Sequence, residues 1–71
     1  MNLKEFIAFR IKQLRKEKNI SQEVLAENAR IDKKYLSDIE NAKRNVSMLI
    51  IGLIAKALDI SIYEFFKTIN Q

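Results

Sequence analysis

Cysteine, histidine and proline are absent from the 71 residues, and Gly52 is the single glycine. Without cysteine there is neither a disulfide nor a thiolate metal site. Without histidine the commonest general base and the commonest metal ligand are missing, so no metal, cofactor or catalytic site is expected. No apolar run approaches the roughly 20 residues that a membrane span needs. The stretch Met1 to Phe9 lacks the apolar segment and small-residue cleavage site of a signal peptide. The expectation is a cytoplasmic protein with no membrane partner. The length suits one domain, residues 1–71, whose core is marginal at this size. Small folds compensate with disulfides, a metal or oligomerisation, and here oligomerisation is the route left.

The net charge is +4, and its distribution says more than the total. Residues 1–45 hold eleven of the thirteen Lys and Arg and seven of the nine Asp and Glu; the rest of the chain is neutral and apolar. A basic face of this kind suits a nucleic acid or an anionic membrane, and equally a helical protein that merely has a high isoelectric point.

Strand-type alternation is not evident, whereas helical periodicity is. Phe6 or Ile7, Ile11 and Leu14 make one apolar stripe on a first helix at about 3–18, whose last turns carry Arg10, Lys12, Arg15, Lys16 and Lys18. Asn19 suits a left-handed stop. Ser21 caps a second helix, about 22–29, with Val24, Leu25 and Ala29 inward. Asp32 caps a third, about 33–41, with Leu36 and Ile39 inward, and Ser47 caps a fourth, about 48–58. Ser61 caps a fifth, about 62–68, with Glu64 completing a capping box. The expected fold is all-α, five helices in one domain.

Helices two and three are separated by only Arg30 to Asp32, the spacing of a helix-turn-helix. The run RKEKNISQEVLAENARIDKKYLSDIE, Arg15 to Glu40, resembles the Cro and lambda-repressor-like (XRE) family. That family's pattern is an Arg ending helix one, then Ser-Gln, Leu-Ala and a closing Ile-Glu. The resemblance covers about residues 6–66. It implies a lambda-repressor-like DNA-binding domain and an ion pair between Arg15 and Glu40.

Physical chemistry gives the positions their roles. Ser21-Gln22 opens a helix whose free N–H groups and positive dipole end can receive a phosphate, and Gln22 can bond that phosphate or brace the next helix. Leu25 and Ala26 sit where helices two and three touch. The first turns of the third helix would enter the major groove. Lys33, Lys34, Ser37 and Asp38 are the candidate base readers, since lysine can donate to guanine and aspartate accept from cytosine. Cations at the positive end of a helix are mildly unfavourable and make sense if the partner is polyanionic. Tyr35, Asn41, Lys43, Arg44 and Asn45 are candidates for the DNA backbone, with Arg30 reaching a phosphate from the turn. Arg30, Ala42 and Val46 stand where the family often has glycine, glycine and proline. An arginine in a left-handed turn costs on the order of 1 kcal/mol, unless the turn takes another shape.

Helix four reads MLIIGLIAKAL. Met48, Ile51, Ile54, Ala55 and Leu58 suffice to pack on the domain. Leu49, Ile50, Leu53 and Ala57 then point elsewhere, with Tyr63 extending the patch, and an apolar surface of that size calls for a cover. A two-fold homodimer is the expected cover, which would read a pseudo-palindromic operator in double-stranded DNA. A heterologous partner or a lost second domain is the alternative. Within the family the stretch IDKKYLSDIENAKRNVS resembles the controller proteins of restriction-modification systems, with phage Cro-like repressors and antitoxins on the same scaffold. The resemblance implies transcriptional regulation by operator occupancy, and activation would bring in RNA polymerase as a further partner. As an enzyme the chain would have only Ser, Tyr, Lys and carboxylates. Glu23 and Glu27, four apart, read better as a solvated helix face than as an acid–base pair. A protein-binding module that never touches DNA is the reading from a different class.

Overall fold

Side chains at the helix starts decide where this chain becomes helical. The computed structural model describes residues 1–67. They form α1 (Leu3–Lys18), α2 (Gln22–Ala29), α3 (Lys33–Glu40), α4 (Met48–Ala57) and α5 (Ile62–Phe66), with no strand among the described residues. Ser21, Asp32, Ser47 and Ser61 each accept a first-turn N–H, a device worth about 1 kcal/mol per helix. Asn2 adds a capping box that the sequence reading missed: its side chain accepts from Glu5 N at 2.8 Å, and Glu5 accepts from Asn2 N at 3.1 Å. Asn41 and Leu58, expected as last helical residues, are instead the C-caps of α3 and α4. Thr68, expected to end α5, lies outside the described residues.

The stops share one geometry. Asn19, Arg30, Ala42 and Asp59 have φ of 57°, 61°, 58° and 61°. After each of them the next N–H reaches back five residues: Ile20 to Arg15, Ile31 to Ala26, Lys43 to Asp38 and Ile60 to Ala55, at 2.9 to 3.1 Å. These are Schellman-type ends. Arg30 therefore adopts the left-handed turn rather than avoiding it. Three of the four turns deliver an isoleucine onto the edge of the core, Ile20, Ile31 and Ile60; the fourth delivers the exposed Lys43.

Ile7, Ile11 and Leu14 of α1, Leu25, Ala26 and Ala29 of α2, Leu36 and Ile39 of α3, and Ile51, Ile54 and Ala55 of α4 form the core with Leu58 and Phe65. α1 packs on α3, α2 on α3 and α4, and α4 on α5. Phe66 meets Phe65 edge-on (5.2 Å) and stacks on Phe6 (6.3 Å), so Phe6 is a seam residue and Ile7 the buried one. Arg10 fastens the same seam: its Nε donates to Phe65 O at 2.7 Å and its Nη2 to Glu64 O at 2.6 Å, closing the end of α5.

Two inward expectations are corrected. Val24 is exposed, because α2 is covered by α3 and α4 through Leu25, Ala26 and Ala29. Met48 is 58% exposed; at the first position of α4 it lies beyond the reach of the elements that bury Ile51 and Ile54.

Ala42 is the plainest place to relieve backbone strain, having no side chain beyond Cβ to lose. Ala42→Gly removes the Cβ clash of the left-handed conformation and is expected to stabilise by about 1 kcal/mol, seen in thermal unfolding as a Tm higher by roughly 4–8 °C.

Candidate nucleic-acid interface

The turn between α2 and α3 presents two helix starts. At α2, Ser21 Oγ accepts from Val24 N at 3.0 Å. The N–H groups of Gln22 and Glu23 have no protein acceptor among the described residues, and Gln22 is half-buried beside them. At α3, one carboxylate oxygen of Asp32 accepts from Lys34 N at 2.9 Å and Tyr35 N at 3.3 Å. That charge sits at the positive end of the helix and offsets the unfavourable placing of Lys33 and Lys34, whose side chains are exposed. Leu36 and Ile39 are sealed in the core on the opposite side of the helix.

Tyr35, Ser37 and Asp38 are half-buried along the outer side of α3. Asp38 Oδ1 lies 3.4 Å from Lys34 Nζ, and its Oδ2 lies 3.5 Å from Arg44 Nε. The Arg44 guanidinium rests 4.9 Å from the centroid of the Tyr35 ring, a cation–π contact. One candidate base reader is thus the counter-ion of another and of a candidate backbone contact, a link that spacing alone did not reveal. Asn41, Lys43 and Asn45 are exposed around the turn after α3, and Arg30 is exposed on the turn before it. Lys12 of α1, absent from the sequence-derived set, shares a shallow hollow with Asn41 and Ala42. The α1 cations at helical spacing were the signal that could have found it.

A buried ion pair holds this surface to the body. Arg15 Nε and Nη2 donate to the two oxygens of Glu40, each at 2.8 Å, and Nη1 donates to Ile20 O at 3.1 Å. The hydrogen bond to Glu40 raises the pKa of Arg15 above its ordinary value, burial works against it, and the charge attraction adds to the rise. Glu40 is 2% exposed and is the one buried charged residue among those described. The two-pronged geometry is what makes such a pair sustainable out of water.

The expected dimer face divides. Leu49 and Tyr63 are 72% and 74% exposed. Ile50, Leu53 and Ala57 are half-buried and packed on the core, while Gly52, on another side of α4, faces Ile62 of α5. The outward apolar set is therefore Met48, Leu49, Ile62 and Tyr63, with the other three at its border. Among the described residues no group of acidic side chains could hold a metal, and no helix is long and apolar enough to cross a membrane.

A helix-turn-helix family model matches residues 11–65. The chain is similar to the control protein C.MunI of Mycoplasma sp, 43% identical over 63 residues that cover 87% of this chain and 85% of the relative. It is similar to the control protein C.SmaI of Serratia marcescens, 36% identical with 87% and 74% covered. Among solved structures it is similar to the restriction-modification controller protein C.Esp1396I, seen as a tetramer on its natural 35 base-pair operator: TM-score 0.88, 38% identity, 93% and 87% covered.

The ion pair makes an asymmetric prediction. Arg15→Met strands a buried carboxylate and is expected to cost about 3–5 kcal/mol. Glu40→Gln leaves an arginine that still reaches Ile20 O and water, and is expected to cost about 1–3 kcal/mol. Urea unfolding of both variants measures the order.

Proposed function

The chain belongs to the helix-turn-helix family, in its Cro and lambda-repressor-like (XRE) branch, and from that membership we propose that it is a sequence-specific DNA-binding transcriptional regulator, the controller of a restriction-modification system. The observation that carries the reading is the convergence of Lys34 and Tyr35 of α3 with Arg44 of the following turn around Asp38, with Lys33 and Lys43 exposed on the same two segments. Kinship with control proteins over 74% to 85% of their length supports the controller role.

In this reading α3 enters the major groove, with Lys33, Lys34 and Ser37 at base edges and Asp38 in the same row. Gln22, Arg30, Tyr35, Asn41, Lys43, Arg44 and Asn45 meet the backbone on either side and set the register. The free N–H groups at the start of α2 suit a phosphate. The chain works as a homodimer joined across Leu49 and Tyr63, with Ile50, Leu53 and Ala57 at the border of the contact. Two α3 helices about 34 Å apart read half-sites one helical turn apart. The protein acts in the cytoplasm, and RNA polymerase is the second partner wherever operator occupancy activates. No catalytic role is proposed: the side chains gathered on this surface bind and orient, and none forms a nucleophile–base pair.

Selection from a random duplex pool tests the reading, and it is expected to enrich a pseudo-palindrome. A folded protein that enriches nothing would instead be a protein-binding module. On the recovered site, Lys34→Ala is expected to weaken binding by about 1–3 kcal/mol and relax the preference at one base position, whereas Arg44→Ala weakens all sequences more evenly. Leu49→Asp is the cleanest probe of the dimer, because Leu49 contributes little to the core. It is expected to give a folded monomer by sedimentation, with greatly weakened operator binding; a variant that stays dimeric places the interface elsewhere.

A further inference from the structure

Asp38 is the odd member of the DNA-facing row. A carboxylate there repels phosphates, yet it faces the surface at 18% side-chain exposure and touches Lys34 and Arg44, one oxygen to each. Its stabilising value is small: Lys34 is 82% and Arg44 53% exposed, and ion pairs that open to water contribute little to folding. Its effect on charge is large by comparison. Two cations and one carboxylate present a net charge of one where two would otherwise meet the DNA.

We propose that Asp38 is an electrostatic latch that sets the specificity of the protein, holding Lys34 and Arg44 back from DNA that offers only phosphates. The proposal rests on the DNA-binding reading above and deepens it. A random duplex supplies phosphates everywhere, and each bare cation would bind them whatever the sequence. With the latch closed, Lys34 and Arg44 must leave Asp38 before they engage. That exchange gains most where Lys34 meets a base acceptor in the groove while Arg44 meets a phosphate, and least where only phosphates are on offer. Tyr35 completes the device. The Arg44 guanidinium lies over its ring, so the arginine stays aimed at the surface when Asp38 lets go. Asp38 is then a positioning residue acting through two cations, and its carboxylate lowers binding to all sequences but lowers it most on the wrong ones.

The test compares wild type, Asp38→Asn, Arg44→Met and the double variant on the selected operator and on a scrambled duplex of the same length, across a salt series. Asp38→Asn is expected to bind the scrambled duplex roughly three- to tenfold more tightly at moderate salt, the size of one charge some 7 Å from a phosphate at an effective dielectric of about 35–75, on the watery side of a surface pair. The slope of log affinity on log salt should steepen by about 0.9 for each cation released to a phosphate. The operator gains less, so the ratio of operator to scrambled affinity falls. In the Arg44→Met background the gain from Asp38→Asn shrinks. Asp38→Ala repeats the series without an amide that could make bonds of its own. Unchanged scrambled affinity and slope, with wild type binding both duplexes, overturn the latch and leave DNA binding standing. So does a loss of preference confined to one base position, which makes Asp38 a reader of cytosine. Wild type binding neither duplex overturns the DNA-binding reading and the latch together.

Discussion

Everything the α3 surface does depends on a carboxylate that is out of reach of water. Glu40 ends α3, is 2% exposed, and has both oxygens occupied by Arg15. Arg15 belongs to α1 and also holds Ile20 O in the turn before α2. One guanidinium therefore fixes three things together: the far end of α3, the end of α1 and the entry to α2. Apolar packing through Leu36 and Ile39 sets how deep α3 sits, but packing is non-directional and alone would tolerate rotation about the helix axis. A bidentate pair is directional. It sets which side of α3 faces out, and so which residues can reach a groove.

Backbone strain is placed with a similar economy. Four helix ends take the left-handed conformation without a glycine, while the chain's one glycine lies inside α4. Three of these turns recover stability by laying an isoleucine on the core. The turn after α3 gives up that contact and sends out Lys43 beside Arg44 and Asn45. Residues held in sparsely populated conformations tend to mark functional sites, and here the least compensated of the four turns is the one that follows α3. A strained, exposed turn is a poor choice for stability and a good one for presenting cations.

How much of this was legible in the sequence follows the range of each interaction. Ser21, Asp32, Ser47 and Ser61 announced the helix starts because a cap is satisfied within three residues. The apolar stripe of α1 showed for the same reason, since Ile7, Ile11 and Leu14 are one face of one helix. Val24 and Met48 misled because periodicity gives a direction without saying how far the neighbouring element extends. The seam role of Arg10 could not be read, because the carbonyls it holds are 54 and 55 residues away on the end of α5. The bond between Asp38 and Arg44 was equally hidden, because it crosses a turn whose shape decides whether residues six apart converge. Arg15 and Glu40 were paired only through resemblance to a family; nothing in their spacing of 25 residues brings them together.

The same distinction of range governs how so small a domain can discriminate among sequences. A single α3 offers a handful of polar groups, and phosphate contacts add affinity that is blind to sequence. Discrimination must come from making binding conditional. In the proposed dimer, joining two domains across α4 and α5 would require two half-sites at a fixed distance, which multiplies selectivity without enlarging either reading surface. Neutralising part of the cationic row by Asp38 acts at the other end of the scale, within one α3, by removing affinity that any duplex could claim. The two proposed devices sit on different helices, α3 and α4, which are linked by the packing of α2 on both. In that proposed assembly the domain itself would serve as the rigid spacer, so the precision with which Arg15 and Glu40 orient α3 would also be the precision with which two copies measure DNA.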